Sequence, residues 1–260
     1  MRALIFAAGI GSRLKPFTDS HPKALAPVDG VPMLGRVLCK LRAAGVDTVV
    51  VNVHHFADQI EDYLRECGGM GMEVHVSDER SCLLDTGGGM LRARRWLEDG
   101  GPFIVHNADI LCSDDVASMY RRHLESGADV SLLAMERVSS RHLYFAPATG
   151  RLLGWGDDRN GAVRPEGFRP SADMLRLSFG GVHVVDPSVF PALEEYAARV
   201  GQVFSIVPFY TEYCRELSIR ASAPEPGSVW FDVGRPESLA AASEFVARHP
   251  GVFPNPSNKL

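Results

Sequence analysis

The sequence predicts an α/β protein built on a mainly parallel sheet. Over residues 1–135, apolar runs of strand length alternate with stretches of helical periodicity, and that alternation makes βαβ units. The chain is also long enough: 260 residues, 45% of them hydrophobic, can bury a sizeable core as one large domain.

The elements follow in order. A strand over residues 3–8 is apolar throughout and stops at Gly9 and Gly11. The stripe Met33, Leu34, Val37, Leu38 and Leu41 predicts a core-facing helix over 33–44, with Gly45 where a C-terminal cap belongs. Strands at 48–53, 73–76, 103–106 and 130–134 then alternate with helices at 57–67, 89–97 and 114–126. Residues 137–175 are rich in Arg, Asp, Gly and Pro, which predicts a loop-rich insertion with short strands near 143–145 and 152–155. The pattern returns with a strand at 177–185, a helix at 187–198 and a helical segment near 204–214. Strands at 217–221 and 228–231 and a helix at 236–248 complete it. Three prolines in residues 250–260 predict a poorly ordered tail.

Bulk properties remove several functions. A net charge of −5 and a pI near 6.0 offer no general basic surface, so phosphate recognition must be local and nucleic acid is not an expected partner. Five cysteines (Cys39, Cys67, Cys82, Cys112, Cys214) lack a CxxC pair, which argues against disulfide and zinc frameworks and for a reducing cytoplasm. The N-terminal apolar run of six residues is too short for a signal peptide or a membrane span.

The chemistry starts after the first strand. Gly9 and Gly11 build a loop whose amides can face phosphate oxygens, and Arg13, Lys15 and Lys23 supply charge. The dinucleotide fingerprint needs glycine where Leu14 stands, and the P-loop spacing is absent. Asp109 of Asn107-Ala-Asp follows the 103–106 strand and shares the loop's rim of the sheet. His54 and His55 are neighbours on a strand end and point opposite ways, which disfavours a metal pair.

Ala7-Ala-Gly-Ile-Gly-Ser-Arg-Leu14, Pro16 and Pro22-Lys-Ala-Leu-Ala-Pro-Val28 together resemble the signature of the sugar-1-phosphate nucleotidyltransferases. Trp230-Phe-Asp-Val-Gly-Arg-Pro-Glu-Ser-Leu239 resembles that family's second acidic motif, and Thr86-Gly-Gly-Gly89 most resembles the N-acetylmuramate-1-phosphate uridylyltransferases. The resemblance implies a Rossmann-like three-layer sandwich with a mostly parallel mixed sheet, the GT-A-like nucleotidyltransferase fold. It implies one domain over 1–250, with a nucleotide-binding half (1–135), a sugar-binding half (136–250) and a tail from 251. Arg13 and Lys23 would be catalytic. Ala8, Gly9, Gly11, Ser12, Thr86, Gly87 and Asn107 would bind the nucleotide, and Gly181 the sugar. Asp109 and Asp232 would hold Mg²⁺, an ion suited to carboxylate and phosphate oxygens.

The implied substrates are a nucleoside triphosphate and a sugar 1-phosphate, handled by a cytoplasmic monomer or homodimer in nucleotide-sugar synthesis, with cell-wall supply the expected use. UTP with N-acetylmuramate 1-phosphate ranks first, ahead of GTP with mannose 1-phosphate and of dTTP or UTP with glucose 1-phosphate. Two departures stand out. Ala108 replaces the family's glycine, and the Glu-Lys-Pro segment that grips the sugar phosphate is missing, leaving Arg137, Arg159 and Arg164 as open alternatives. A non-catalytic sugar-nucleotide sensor and a dinucleotide-dependent oxidoreductase are the rivals. The first should lack a metal carboxylate, and the second needs glycine at Leu14.

Overall fold

A computed structural model describes residues 1–253. Strand β1 (Arg2–Phe6) leads through three single-turn 3-10 helices to a small hairpin, β2 (Pro27–Val28) and β3 (Val31–Pro32), and then to α1 (Met33–Ala43). There follow β4 (Thr48–Val53), α2 (Ala57–Glu66), β5 (Glu73–Asp78), α3 (Asp85–Ala93), β6 (Phe103–Asn107), β7 (Ile110–Cys112), α4 (Val116–Ser126) and β8 (Val130–Met135). The second half contains β9 (Arg141–Phe145), β10 (Leu152–Asp157), β11 (Ala162–Arg164) and the long β12 (Leu175–Val185). Next come α5 (Phe190–Val200), α6 (Ile206–Glu212), β13 (Ile219–Ser222), β14 (Trp230–Asp232) and α7 (Pro236–Arg248).

The main sheet runs β11-β10-β9-β12-β6-β1-β4-β5, with β8 on β12 and β13 on β8. β5, β4, β1 and β6 are mutually parallel, whereas β12 runs antiparallel to β6, β8 and β9. Side chains alternate across the pleat, so one strand feeds two cores. Ala3 and Ile5 of β1 join Val49 and Val51 of β4 against Leu34, Leu38, Ile60 and Leu64 of α1 and α2. Leu4 and Val50, one residue out of phase, pack with Met90, Phe190 and Phe209 of α3, α5 and α6. The expected three-layer sandwich with a mixed sheet is borne out. Leu34 and Leu38 are fully buried, and truncation of such residues to alanine costs about 2–5 kcal/mol.

Local signals hold at the caps. Gly45 takes φ +89° just past α1, and Asp115 accepts the Ala117 amide at 2.9 Å to cap α4. Two expectations are sharpened. Residues 137–175 hold short strands near both expected places, β9 and β10, and a third, β11, continues the main sheet beyond them. Cross-strand and turn ion pairs absorb their charges: Asp157 receives Arg141 at 3.4 Å and Arg159 at 2.8 Å. The tail starts exposed at residues 250–252, and Phe253 then packs against Val246 of α7 in a third cluster. The rest of the expected tail, 254–260, lies outside the described residues.

That third cluster positions the site. Val246 and Ala242 of α7 pack with Val28, Met33, Leu111 and Val233. They clamp the β7–β14 ribbon to the hairpin that follows Lys23.

Candidate active site

A cavity of about 420 Å³ opens beyond the carboxyl ends of β1, β4 and β6, where ligands bind in open α/β sheets. Gly9, Gly11, Ser12, Arg13 and Lys23 line it from the N-terminal loop, Asp85 and Thr86 from the start of α3, and Asn107 and Asp109 from the end of β6 and just beyond. Phe6, Leu83 and Val203 add an apolar wall.

The loop after β1 owes its shape to a tight crossing. Gly11 has φ +69°, and a Cβ there would lie 2.8 Å from Lys23 Cβ and 2.9 Å from Thr18 Cγ2. The Thr18 hydroxyl donates to the Gly11 carbonyl at 3.0 Å. Among the described residues, the amides of residues 9–13 find no intramolecular acceptor. Successive free donors in a loop whose Gly9, Gly11, Ser12 and Arg13 line the cavity make an anion cradle. Lys15, by contrast, pairs with Asp19 at 2.9 Å on the exposed surface.

A buried polar network that the sequence reading missed holds this loop. Asn52 Oδ1 accepts the amides of Ala7 at 2.7 Å and Ala8 at 3.2 Å, and its Nδ2 donates to Glu79 Oε1 at 2.9 Å. Glu79 Oε2 accepts the Leu84 amide at 3.0 Å. Three segments around the cavity are thus tied by two side chains that are 3% and 1% exposed. Burial raises the Glu79 pKa, and the hydrogen bonds from Leu84 and Asn52 oppose the rise. The signal was present as an asparagine inside the otherwise apolar Thr48–Val53 strand. Ala8 lines the cavity, but its amide serves Asn52, so the free donors begin at Gly9.

Asp109 and Asp232 are brought together by the ribbon. β14 pairs antiparallel with β7, setting Asp232 opposite Ile110, and the Val233 amide donates to the Asp109 carbonyl at 3.0 Å. Lys23 forms an ion pair with Asp109. Gly234 marks the meeting point. A Cβ there would stand 2.7 Å from Asp232 Oδ1, 2.8 Å from Lys23 Nζ and 3.0 Å from Arg13 Nη2. Two carboxylates and two cations, far apart in sequence, share one spot.

Close packing surrounds Gly87 and Gly181, two of the glycines expected at the ligand. α3 starts at Asp85, not Gly89, so Gly87, Gly88 and Gly89 lie within the helix. A Cβ on Gly87 would come within 2.3 Å of the Phe204 ring, and one on Gly88 within 2.1 Å of the Gln202 carbonyl. Close packing of the helix against residues 202–204 overrides the poor helix propensity of glycine. Gly87 therefore faces Phe204, while Thr86 lines the cavity and its hydroxyl accepts the Ile206 amide at 2.9 Å. Gly181 has φ +76° and abuts Ile110 and Asn107, beside a break in the β12–β8 register. Its bareness serves that crossing.

The oxygen-only pair Asp109 and Asp232 suits a hard divalent cation completed by phosphate oxygens and water. Among the described residues, no cluster of three His, Cys, Asp or Glu side chains is arranged to hold a metal without such help. His54 bonds the Glu79 carbonyl through Nδ1 at 2.7 Å, and His55 packs on Phe56.

The model for the MobA-like NTP transferase domain matches residues 3–204. The chain is 31% identical over 250 residues to the N-acetylmuramate alpha-1-phosphate uridylyltransferase of Caulobacter vibrioides, covering 94% of this chain and 96% of that protein. It is 30% identical over 236 residues to the protein of the same description from Neisseria meningitidis serogroup B, covering 90% and 93%. A solved structure described as a putative glucose-1-phosphate thymidylyltransferase from Bacillus anthracis superposes with a TM-score of 0.80 at 18% identity, covering 99% of each chain, and so shares the fold. Fold and relatives together define an enzyme of the sugar-1-phosphate nucleotidyltransferase class. The chain belongs to the family of MobA-like NTP transferase domains. No helix among the described residues is long and apolar enough to cross a membrane.

Proposed function

We propose that the protein transfers a uridylyl group from UTP to N-acetylmuramate 1-phosphate in the cytoplasm, releasing pyrophosphate and supplying a cell-wall precursor. The observation that carries this choice is near-full-length similarity, at 30–31% identity, to two proteins of that description. A specific observation favours GTP with mannose 1-phosphate as the second reading: 25% identity over 257 residues to the mannose-1-phosphate guanylyltransferase of Mycobacterium tuberculosis.

In this reading the triphosphate lies in the cradle of residues 9–13, with its β- and γ-phosphates on the free amides and on the forked donors of Arg13. The base rests against the apolar wall beside Thr86 and Leu83. An oxygen of the sugar phosphate bonds to the α-phosphorus as the bond to the bridging oxygen breaks, and pyrophosphate departs with that electron pair. The nucleophile is already an anion, so no general base is needed. Lys23, beside both carboxylates and Arg13, neutralises charge on the α-phosphate and holds it in line. Asp109 and Asp232 would hold Mg²⁺, which when bound supplies charge neutralisation between the phosphates. The first 135 residues hold the nucleotide, and residues from 136 onward hold the sugar.

The test is pyrophosphate release over a grid of nucleoside triphosphates and sugar 1-phosphates. Highest kcat/KM with UTP and N-acetylmuramate 1-phosphate is expected. A preference for GTP with mannose 1-phosphate would replace it with the second reading.

A further inference from the structure

We propose that Arg137 is the cation that receives the phosphate of the incoming sugar 1-phosphate. The inference rests on the nucleotidyl-transfer reading above and supplies the residue that stands in for the absent Glu-Lys-Pro lysine. Arg137 follows β8 by two residues and lays its guanidinium over the Trp230 ring, 4.4 Å from the centroid. Trp230 is itself fixed, since its indole N–H donates to the Gly180 carbonyl at 2.8 Å. Trp230 and Asp232 are two residues apart in β14, so their side chains leave the same face of the ribbon. The stacked guanidinium therefore lies on the face of the ribbon that bears the Asp232 carboxylate. Lys23 and Arg13 gather beside that carboxylate from the N-terminal half of the chain, and Arg137 approaches from the second half over the Trp230 ring.

Its donors are open. Arg137 is exposed and makes one long hydrogen bond, to the Phe179 carbonyl at 3.5 Å, and no ion pair among the described residues. A guanidinium has five N–H donors in a planar fork that matches a phosphate. Stacking on an aromatic ring holds that fork ready without using its edge.

The rival arginines are engaged or remote. Arg141 and Arg159 pair with Asp157, and Arg176 pairs with Asp158. Arg164 lies on β11, its guanidinium 5.2 Å from the Trp155 ring centroid. β11 is four strands from β6, the strand that leads to Asp109, which is about 19 Å at the usual strand spacing. The cradle and Arg13 are occupied by the leaving pyrophosphate during the reaction. A second anion beside the α-phosphate needs a cation of its own, and Arg137 is placed to be that cation.

The experiment compares wild type with Arg137→Met and Arg137→Lys. Thermal melts confirm that each variant folds, and the KM of each substrate is measured separately. Loss of a charged, forked contact should raise the sugar 1-phosphate KM by about 10- to 100-fold, with the UTP KM unchanged and lysine giving partial rescue. Calorimetric binding of N-acetylmuramate 1-phosphate and of glucose 1-phosphate, beside a non-hydrolysable UTP analogue, reads the same contact without turnover. Wild-type turnover with an unchanged sugar 1-phosphate KM in Arg137→Met overturns the role of Arg137 alone. Equal rises in both KM values overturn it too, since they indicate a disturbed Trp230–Asp232 strand. Arg137-dependent sugar 1-phosphate binding without any turnover would sustain Arg137 and overturn the transfer reaction. Neither binding nor turnover in wild type overturns both.

Discussion

One methyl group added at Gly234 should disable turnover and leave the fold intact. Gly234 has no positive φ, so alanine fits its backbone. The new Cβ would lie 2.7 Å from Asp232 Oδ1, 2.8 Å from Lys23 Nζ and 3.0 Å from Arg13 Nη2, where ordinary contact starts at 3.4 Å. Each group must retreat by roughly 0.4–0.7 Å. All three are the ends of side chains, two of them long and flexible, so retreat is cheap for the fold. It is expensive for catalysis, because a misplacement approaching 1 Å in a positioning site costs up to about 10²-fold. Gly234→Ala should therefore lower kcat/KM by about 10- to 100-fold, equal to about 1.4–2.7 kcal/mol of transition-state stabilisation. Steady-state pyrophosphate release beside a thermal melt reads both quantities. A Tm within a degree or two of wild type is expected. Full activity in Gly234→Ala would refute the convergence of Arg13, Lys23 and Asp232 on the reaction centre. Global unfolding would refute the claim that only side-chain ends yield.

Asn52→Ala strands the Ala7 and Ala8 amides and one Glu79 oxygen, which should cost about 2–4 kcal/mol and lower Tm by about 5–15 °C in differential scanning fluorimetry. Asp232→Asn keeps an oxygen for the Gly234 amide but removes the charge, and should lower kcat by about 10²- to 10³-fold with little change in Tm. Excess chelator should stop wild-type turnover, and added Mg²⁺ should restore it. His106 and His183 are wholly buried, and burial lowers each from 6.5 to about 3. The unfolded chain thus takes up protons first on acidification. Their contribution is complete above pH 6.5 and is lost as pH falls from 6.5 towards 3, at up to about 1.4 kcal/mol per pH unit for each residue. Neither His183 nitrogen has a hydrogen-bond partner, so His183→Leu should keep neutral-pH stability and flatten the acid slope in urea melts.

Much of the parallel half was legible because each layer repeats one rule. An apolar run such as Ala3–Leu4–Ile5 must be buried on both faces, and a stripe such as Leu34–Leu38–Leu41 on one. In the 137–175 region β9 and β10 were legible as short apolar runs, whereas β11, three exposed residues long, shows no period. The start of α3 was hidden by Gly87, Gly88 and Gly89, whose purpose appears only when Phe204 and Gln202 are seen against them. Asp109 and Asp232 could each be picked out by type and neighbours. Their meeting could not, because it depends on two three-residue strands too short to show a period. Asn52 and Glu79 carried a weaker signal, polarity in and just beyond apolar strands, and their partners are backbone amides that no residue pattern reveals.

The β7–β14 ribbon also has a consequence for how such a chain can change. Both carboxylates are fastened to adjacent rungs of one ladder, so their separation is fixed by backbone register and not by the docking of two lobes. Cys112 and Trp230 face each other across the ribbon, so everything between them is an excursion that leaves one rung and returns to it. β9, β10 and β11, the outer strands of that excursion, can therefore change length while the rung that sets the acidic pair keeps its register.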